Sequence, residues 1–109
     1  MPTYNKLVRD KIPDILNNKG LAYNLKRLNE DKQYAFALKE KFQEEWDEYV
    51  NANNDKEALA ELADLLEVIY ALSALHNSTN EELDDIRKQK YNDRGGFEQK
   101  YILVDVEDK

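Results

Sequence analysis

Apolar residues from Ala35 to Tyr49 recur at helical spacing. Ala35, Leu38, Phe42, Trp46 and Tyr49 form one inward stripe on a helix predicted from Asn29, a good N-cap, to about Ala52. One residue breaks that stripe. With about 100° of turn per residue, Phe42 and Tyr49 lie within about 40° of Leu38, and Glu45 lies about 20° to its other side. A carboxylate therefore occupies core phase. Because an ionised carboxylate is too costly to bury alone, Glu45 requires protonation, a cationic partner or a metal ion.

The same reading places the other elements. Tyr4 to Asn18 starts basic and turns helical in pattern, with Asp10 as N-cap before Pro13, and Gly20 ends it. Leu21 to Leu28 alternates as a short strand would. Residues 51–55, NANND, make a turn, and Asn54 with Glu57 forms a capping box that opens a second long helix to about His76, apolar around much of its circumference. Thr79 with Glu82 caps a fourth helix, Asn80 to Asn92, stopped by Gly95 and Gly96. Beyond it the β-branched run Tyr101 to Val106 reads as a strand, a candidate to pair with Leu21 to Leu28. The expected fold is mainly α: one domain over residues 1–109, a bundle of about four helices with two long antiparallel members, and a small two-stranded β element beside it.

The second long helix changes the status of Glu45. Glu57, Glu61 and Asp64 follow at i, i+4 and i+7, within about 60° of arc, and Val68, Ala71 and Leu75 continue the same strip in apolar residues. Two helices joined by a short turn thus carry carboxylates on the faces that should meet. Glu48 lies about 60° from Glu45 at the border of its stripe, whereas Glu44, about 100° away, points further outward. The favoured quartet is Glu45, Glu48, Glu61 and Asp64. Hard oxygen donors at this spacing suit Mg²⁺ or Mn²⁺. Zinc and di-iron fit less well, since there is no cysteine and the one histidine, His76, has Ser73 rather than a glutamate three residues before it. The plain alternative makes these acids solvated faces with salt bridges to lysines such as Lys41 and Lys56, but surface pairing gives no reason for acids at core phase.

Composition narrows the class. A 109-residue chain with 36% charged and 41% hydrophobic residues, three glycines and two prolines describes a compact helical domain. Its net charge of -7 argues against coating nucleic-acid polymers, which takes a broad basic face. Without cysteine there are no disulfides, and the polar N-terminus together with Glu61, Asp64 and Glu67 inside the most apolar stretch predicts neither secretion nor a membrane span. The expectation is a soluble cytoplasmic protein.

The motifs also resemble a family. EEWDE at Glu44 to Glu48 and ELAD at Glu61 to Asp64, twelve residues apart, are similar to the EExxE and ExxD motifs of the MazG-like, all-α nucleoside triphosphate pyrophosphohydrolases. The N-terminal YNKLVRDKIPDIL and the RGGF at Arg94 to Phe97 look like the phosphoribosyl-ATP pyrophosphohydrolase-like, house-cleaning branch, and the likeness covers nearly the whole chain. It implies Mg²⁺-dependent cleavage of a nucleoside triphosphate between the α and β phosphates, giving a monophosphate and pyrophosphate. Glu45, Glu48, Glu61 and Asp64 would be the metal ligands and Glu44 an accessory acid, with Glu45 or Glu48 orienting or deprotonating the attacking water.

Phosphate charge calls for cations. Lys90 and Arg94, one turn apart and matching a Lys and an Arg of the family pattern, come first, followed by Lys6, Arg9 and Lys11; Arg9 could equally fix the N-terminal arm to an acidic neighbour. Trp46 or Tyr49 could stack a base, although each also suits a core or dimer contact. His76 is read as a helix-end residue without catalytic work. A largely apolar helix suggests burial in a homo-oligomer, and the resemblance implies dimers or tetramers. Two other readings stay open: a phosphoribosyl-ATP pyrophosphohydrolase of histidine biosynthesis, and a non-enzymatic acidic helical module that binds a basic partner or a structural cation.

Overall fold

A computed structural model describes residues 2–108 as four helices, α1 (Ile12–Asn18), α2 (Asp31–Val50), α3 (Asp55–Leu75) and α4 (Asn80–Arg94). The fold is mainly α, as the periodicity predicts. Its centre is the hairpin of α2 and α3; α4 packs on α3 alone, and α1 packs against no other helix. The buried apolar residues Leu38, Leu65 and Val68 lie in these two long helices. They place the acidic faces of α2 and α3 opposite each other.

Local chemistry sets the helix ends. Glu57 N–H donates to Asn54 Oδ1 at 2.9 Å while Asn53 N–H donates to Glu57 Oε2 at 3.0 Å, a reciprocal cap that starts α3. At α4, Glu82 N–H donates to Thr79 Oγ1 at 3.1 Å. Caps of this kind contribute about 1 kcal/mol each. The two other expected caps are corrected: α1 starts after Lys11 and α2 after Glu30, and neither Asp10 nor Asn29 caps them. Pro13 stands at the beginning of α1, as expected, because its missing N–H is no loss in a first turn. Gly95 closes α4 at φ 81°, a left-handed conformation that a Cβ would strain.

The strands are a second correction. No strand occurs among the described residues, and both Leu21 to Leu28 and Tyr101 to Val106 lack regular structure. Tyr101, Ile102, Leu103 and Val104 are at least 80% exposed, so residues with strand propensity meet no ladder to join. The inward stripe of α2 also needs amendment. Leu38 is buried and Ala35, Phe42 and Tyr49 are half-buried, but Trp46 is 44% exposed, because α3 alone covers only part of the face of α2. On α3, Leu59, Leu62, Leu66 and Ile69 form an exposed stripe on the side away from α2. No described helix is long and apolar enough to cross a membrane.

Candidate metal centre

Glu45 reaches the interior from the middle of α2, and it is only 6% exposed. Its carboxylate belongs to two groups at once. Ligand oxygens of Glu45, Glu61 and Asp64 lie within 4.8 Å of one another, and so do those of Glu44, Glu45 and Glu48. The i, i+3 spacings on facing helices thus bring the expected quartet around one buried residue. Glu61 and Asp64 are half-buried, and Glu48 is exposed at the rim.

Each oxygen of Glu45 has a different environment. Oε1 pairs with Lys41 Nζ at 3.4 Å, one helical turn earlier. Oε2 is buried without a hydrogen-bond partner, and the same holds for Oε2 of Glu61. Native proteins rarely leave such atoms unmatched. Two things can satisfy them: a proton shared between the carboxyls, or a cation between them. The first already shows in the electrostatics. Burial pushes the Glu45 carboxyl up to about 7, assisted by the hydrogen bonds that its protonated form can give to Glu61 and Glu48 and by the charge of Glu48, against the pull of Lys41. For Glu61, the hydrogen bond with Glu45 lowers the pKa, but Glu48, burial and the charge of Asp64 outweigh it and the net shift is upward. Both shifts favour the protonated form at these oxygens, and the all-oxygen donor set is of the kind that suits Mg²⁺ or Mn²⁺.

Glu44 differs from Glu45 although it is adjacent. It accepts hydrogen bonds from Lys6 Nζ at 2.7 Å and Lys41 Nζ at 3.3 Å. The Lys6 bond is the main reason its carboxyl lies below the usual range, and the same bond raises Lys6. Asp64 in turn accepts from Arg9 Nη2 at 2.6 Å. Of the expected phosphate ligands, then, Lys6 and Arg9 are at the acids, and Arg9 does fix the N-terminal arm to an acidic neighbour. Lys90 and Arg94 are exposed on α4 and make no hydrogen bond or ion pair with the acids among the described residues. Lys11 is exposed just before α1, and Lys56 enters no ion pair among the described residues.

A shallow groove of about 330 Å³ runs beside the acids, lined by Glu48, Asn51, Ala52, Glu57, Ala60 and Glu61. Asn51, Ala52 and Ala60 carry no sequence signal for a site; they line the groove because the short α2–α3 turn brings the two helix ends together beside Glu48 and Glu61. Trp46 and Tyr49 contact each other, with centroids 5.5 Å apart and planes inclined by 36°. His76 caps the end of α3 through its backbone N–H, away from any acid of the quartet in sequence. Comparison with protein-family models, curated proteins and solved structures gives no match to this chain.

Proposed function

We propose that this chain is a Mg²⁺-dependent nucleoside triphosphate pyrophosphohydrolase, cleaving between the α and β phosphates and acting on surplus or non-standard nucleotides in the cytoplasm. The observation that carries the reading is the buried Oε2 of Glu45, unpartnered and gathered with Glu61 and Asp64 on the facing helix. Lys41 reaches only one of its oxygens, and the other is left to a shared proton or a cation. The resemblance of EEWDE and ELAD to the MazG-like motifs points the same way.

Glu45, Glu48, Glu61 and Asp64 would hold the cation, with Glu44 as accessory acid. When bound, Mg²⁺ supplies charge neutralisation for the polyphosphate and acidifies water. Glu48, exposed and bordering the groove, is positioned to take the proton of the attacking water. The water oxygen bonds to phosphorus, the bridging P–O bond between α and β breaks, and pyrophosphate leaves. Arg9 and Lys6 supply cations at the edge of the site, and Trp46, half-exposed, offers a ring to a base.

The expected test product is diagnostic. Incubation with a panel of standard and modified nucleoside triphosphates and Mg²⁺ should release monophosphate and pyrophosphate from at least one, measured by chromatography. Release of diphosphate and phosphate instead would reassign the reaction. No release from any would favour the acidic binding module, which has its own support in the basic side chains, Lys6, Arg9 and Lys41, already seated on these acids.

The working unit is proposed to be a homo-oligomer. Three buried apolar side chains among the described residues are a small core, and the radius of gyration is 18.5 Å, against ~13 Å for a compact domain of this length. The exposed stripe of α3 is the natural contact, and covering it with a second hairpin completes a four-helix bundle. Replacing Leu62 and Leu66 together by Asp should therefore yield monomers with a lower melting temperature. A wild-type chain that sediments as a monomer at micromolar concentration would exclude this assembly.

A further inference from the structure

The N-terminal arm is tied down in an unusual way. Only two side-chain hydrogen bonds among the described residues span more than four positions, Lys6 to Glu44 and Arg9 to Asp64, with separations of 38 and 55. Both leave from the same short segment and end on the same cluster of acids. The segment itself has no helix or strand before α1, and all its described residues except Leu7 are exposed. Its first backbone hydrogen bond runs from Ile12 N–H to Arg9 C=O. The α1 helix that follows packs on no other helix. Two ion pairs thus hold the arm's polar groups to the hairpin, and both are partly solvated, with side chains 44% and 27% exposed in one and 56% and 38% in the other. Such pairs are weak and exchange readily.

Arg9 nevertheless sits at a decisive oxygen. Asp64 Oδ1 accepts from it at 2.6 Å, and the Asp64 carboxylate is one of the three gathered around Glu45. We propose that residues 3–11 form a displaceable cationic strap: Arg9 and Lys6 hold the carboxylates of Asp64 and Glu44, yield Asp64 to a divalent cation, and move onto the phosphates of an incoming nucleotide. This rests on the metal reading above. Its second support is the unpartnered Oε2 of Glu45, which gives a cation an oxygen that Arg9 does not satisfy. A divalent ion engaging Glu45, Glu61 and Asp64 together carries twice the charge of one guanidinium that engages Asp64 alone. Once released, Arg9 remains tethered within reach, and its planar fork matches phosphate oxygens in a way that a point charge does not. The strap would thereby order binding: cation first, then nucleotide.

Mn²⁺ is a suitable probe because its binding can be followed by electron paramagnetic resonance without turnover. Arg9→Ala should bind Mn²⁺ about 1.5- to 5-fold more tightly than the wild-type chain, the factor expected for removing an exposed ion-pair competitor. In the wild type, Mn²⁺ should speed tryptic cleavage after Lys6 and Arg9, and a non-hydrolysable nucleoside triphosphate analogue added with Mn²⁺ should restore protection. Equal or weaker Mn²⁺ binding by Arg9→Ala would overturn the strap while leaving the metal centre standing, since Arg9 would then support Asp64 as a ligand. Unchanged cleavage with Mn²⁺, or no renewed protection by the analogue, would overturn it too. If the wild type binds no Mn²⁺, strap and metal centre fail together.

Discussion

Replacing Glu61 by Gln, or Asp64 by Asn, should lower Mg²⁺-dependent pyrophosphate release by at least about 100-fold, because each removes an anionic ligand, and loss of even outer-shell support at metal sites costs 10- to 100-fold. The fold should survive both changes. Glu61 is half-buried among like charges, and its Oε2 has no hydrogen-bond partner, so a neutral amide of the same shape relieves repulsion. Asp64→Asn weakens the pair with Arg9, which is exposed enough to be worth only ~0.2–1 kcal/mol. Helical circular dichroism should therefore match the wild type, with a melting temperature equal or higher for Glu61→Gln. Measured turnover by pyrophosphate assay that persists in both variants would remove these acids from the chemistry, whatever their role in the fold.

The contrast between site and fold shows what a sequence reveals. Asn54 with Glu57 and Thr79 with Glu82 were legible because a capping box closes within four residues. Glu45 was legible because the phase of a helix is a local property, and its buried position follows from the neighbours it shares the stripe with. Trp46 misled for the complementary reason. Its phase is inward, but exposure depends on how much of α2 is covered, and one hairpin partner covers only part. Tyr101 to Val106 has the composition of a strand, yet a strand exists only with a partner, and sequence pattern does not supply one.

Long-range polar contacts were hardest to read. Charge alone could suggest that Arg9 meets an acid, but not that the acid is Asp64, 55 residues away, or that Lys6 takes Glu44 and so separates it from Glu45. That distinction now has a physical basis. Glu44 is satisfied by two lysines and stays ionised, whereas Glu45 has one lysine at one oxygen and is driven toward the neutral form.

Glu45→Gln should make the metal-free protein more stable above neutral pH, and the pH dependence identifies the cause. Burial raises the Glu45 carboxyl from 4.5 to about 7, so below pH 4.5 folded and unfolded chains both carry the proton and this residue contributes no difference. Between those values the unfolded chain gives up its proton while the folded chain keeps it, and stability falls as pH rises. Above about 7 the folded chain must ionise as well, and the full cost is present. A shift of this size corresponds to about 3 kcal/mol as an upper bound, of which sharing with Glu61 leaves on the order of 1–3 kcal/mol at this site. The Glu44 pair works in the opposite direction and in another window: its lowered carboxyl adds stability above its ordinary value of 4.5 and loses it only as pH falls through the depressed value. Chemical denaturation in EDTA should thus show wild type and Glu45→Gln converging near pH 5 and separating by pH 8, with the variant ahead. Millimolar Mg²⁺ should then reverse the order, stabilising the wild type, which binds it in the folded state, and leaving the variant nearly unmoved. Parallel pH profiles without crossing on addition of Mg²⁺ would mean that the buried carboxyl neither titrates as its burial requires nor holds a cation.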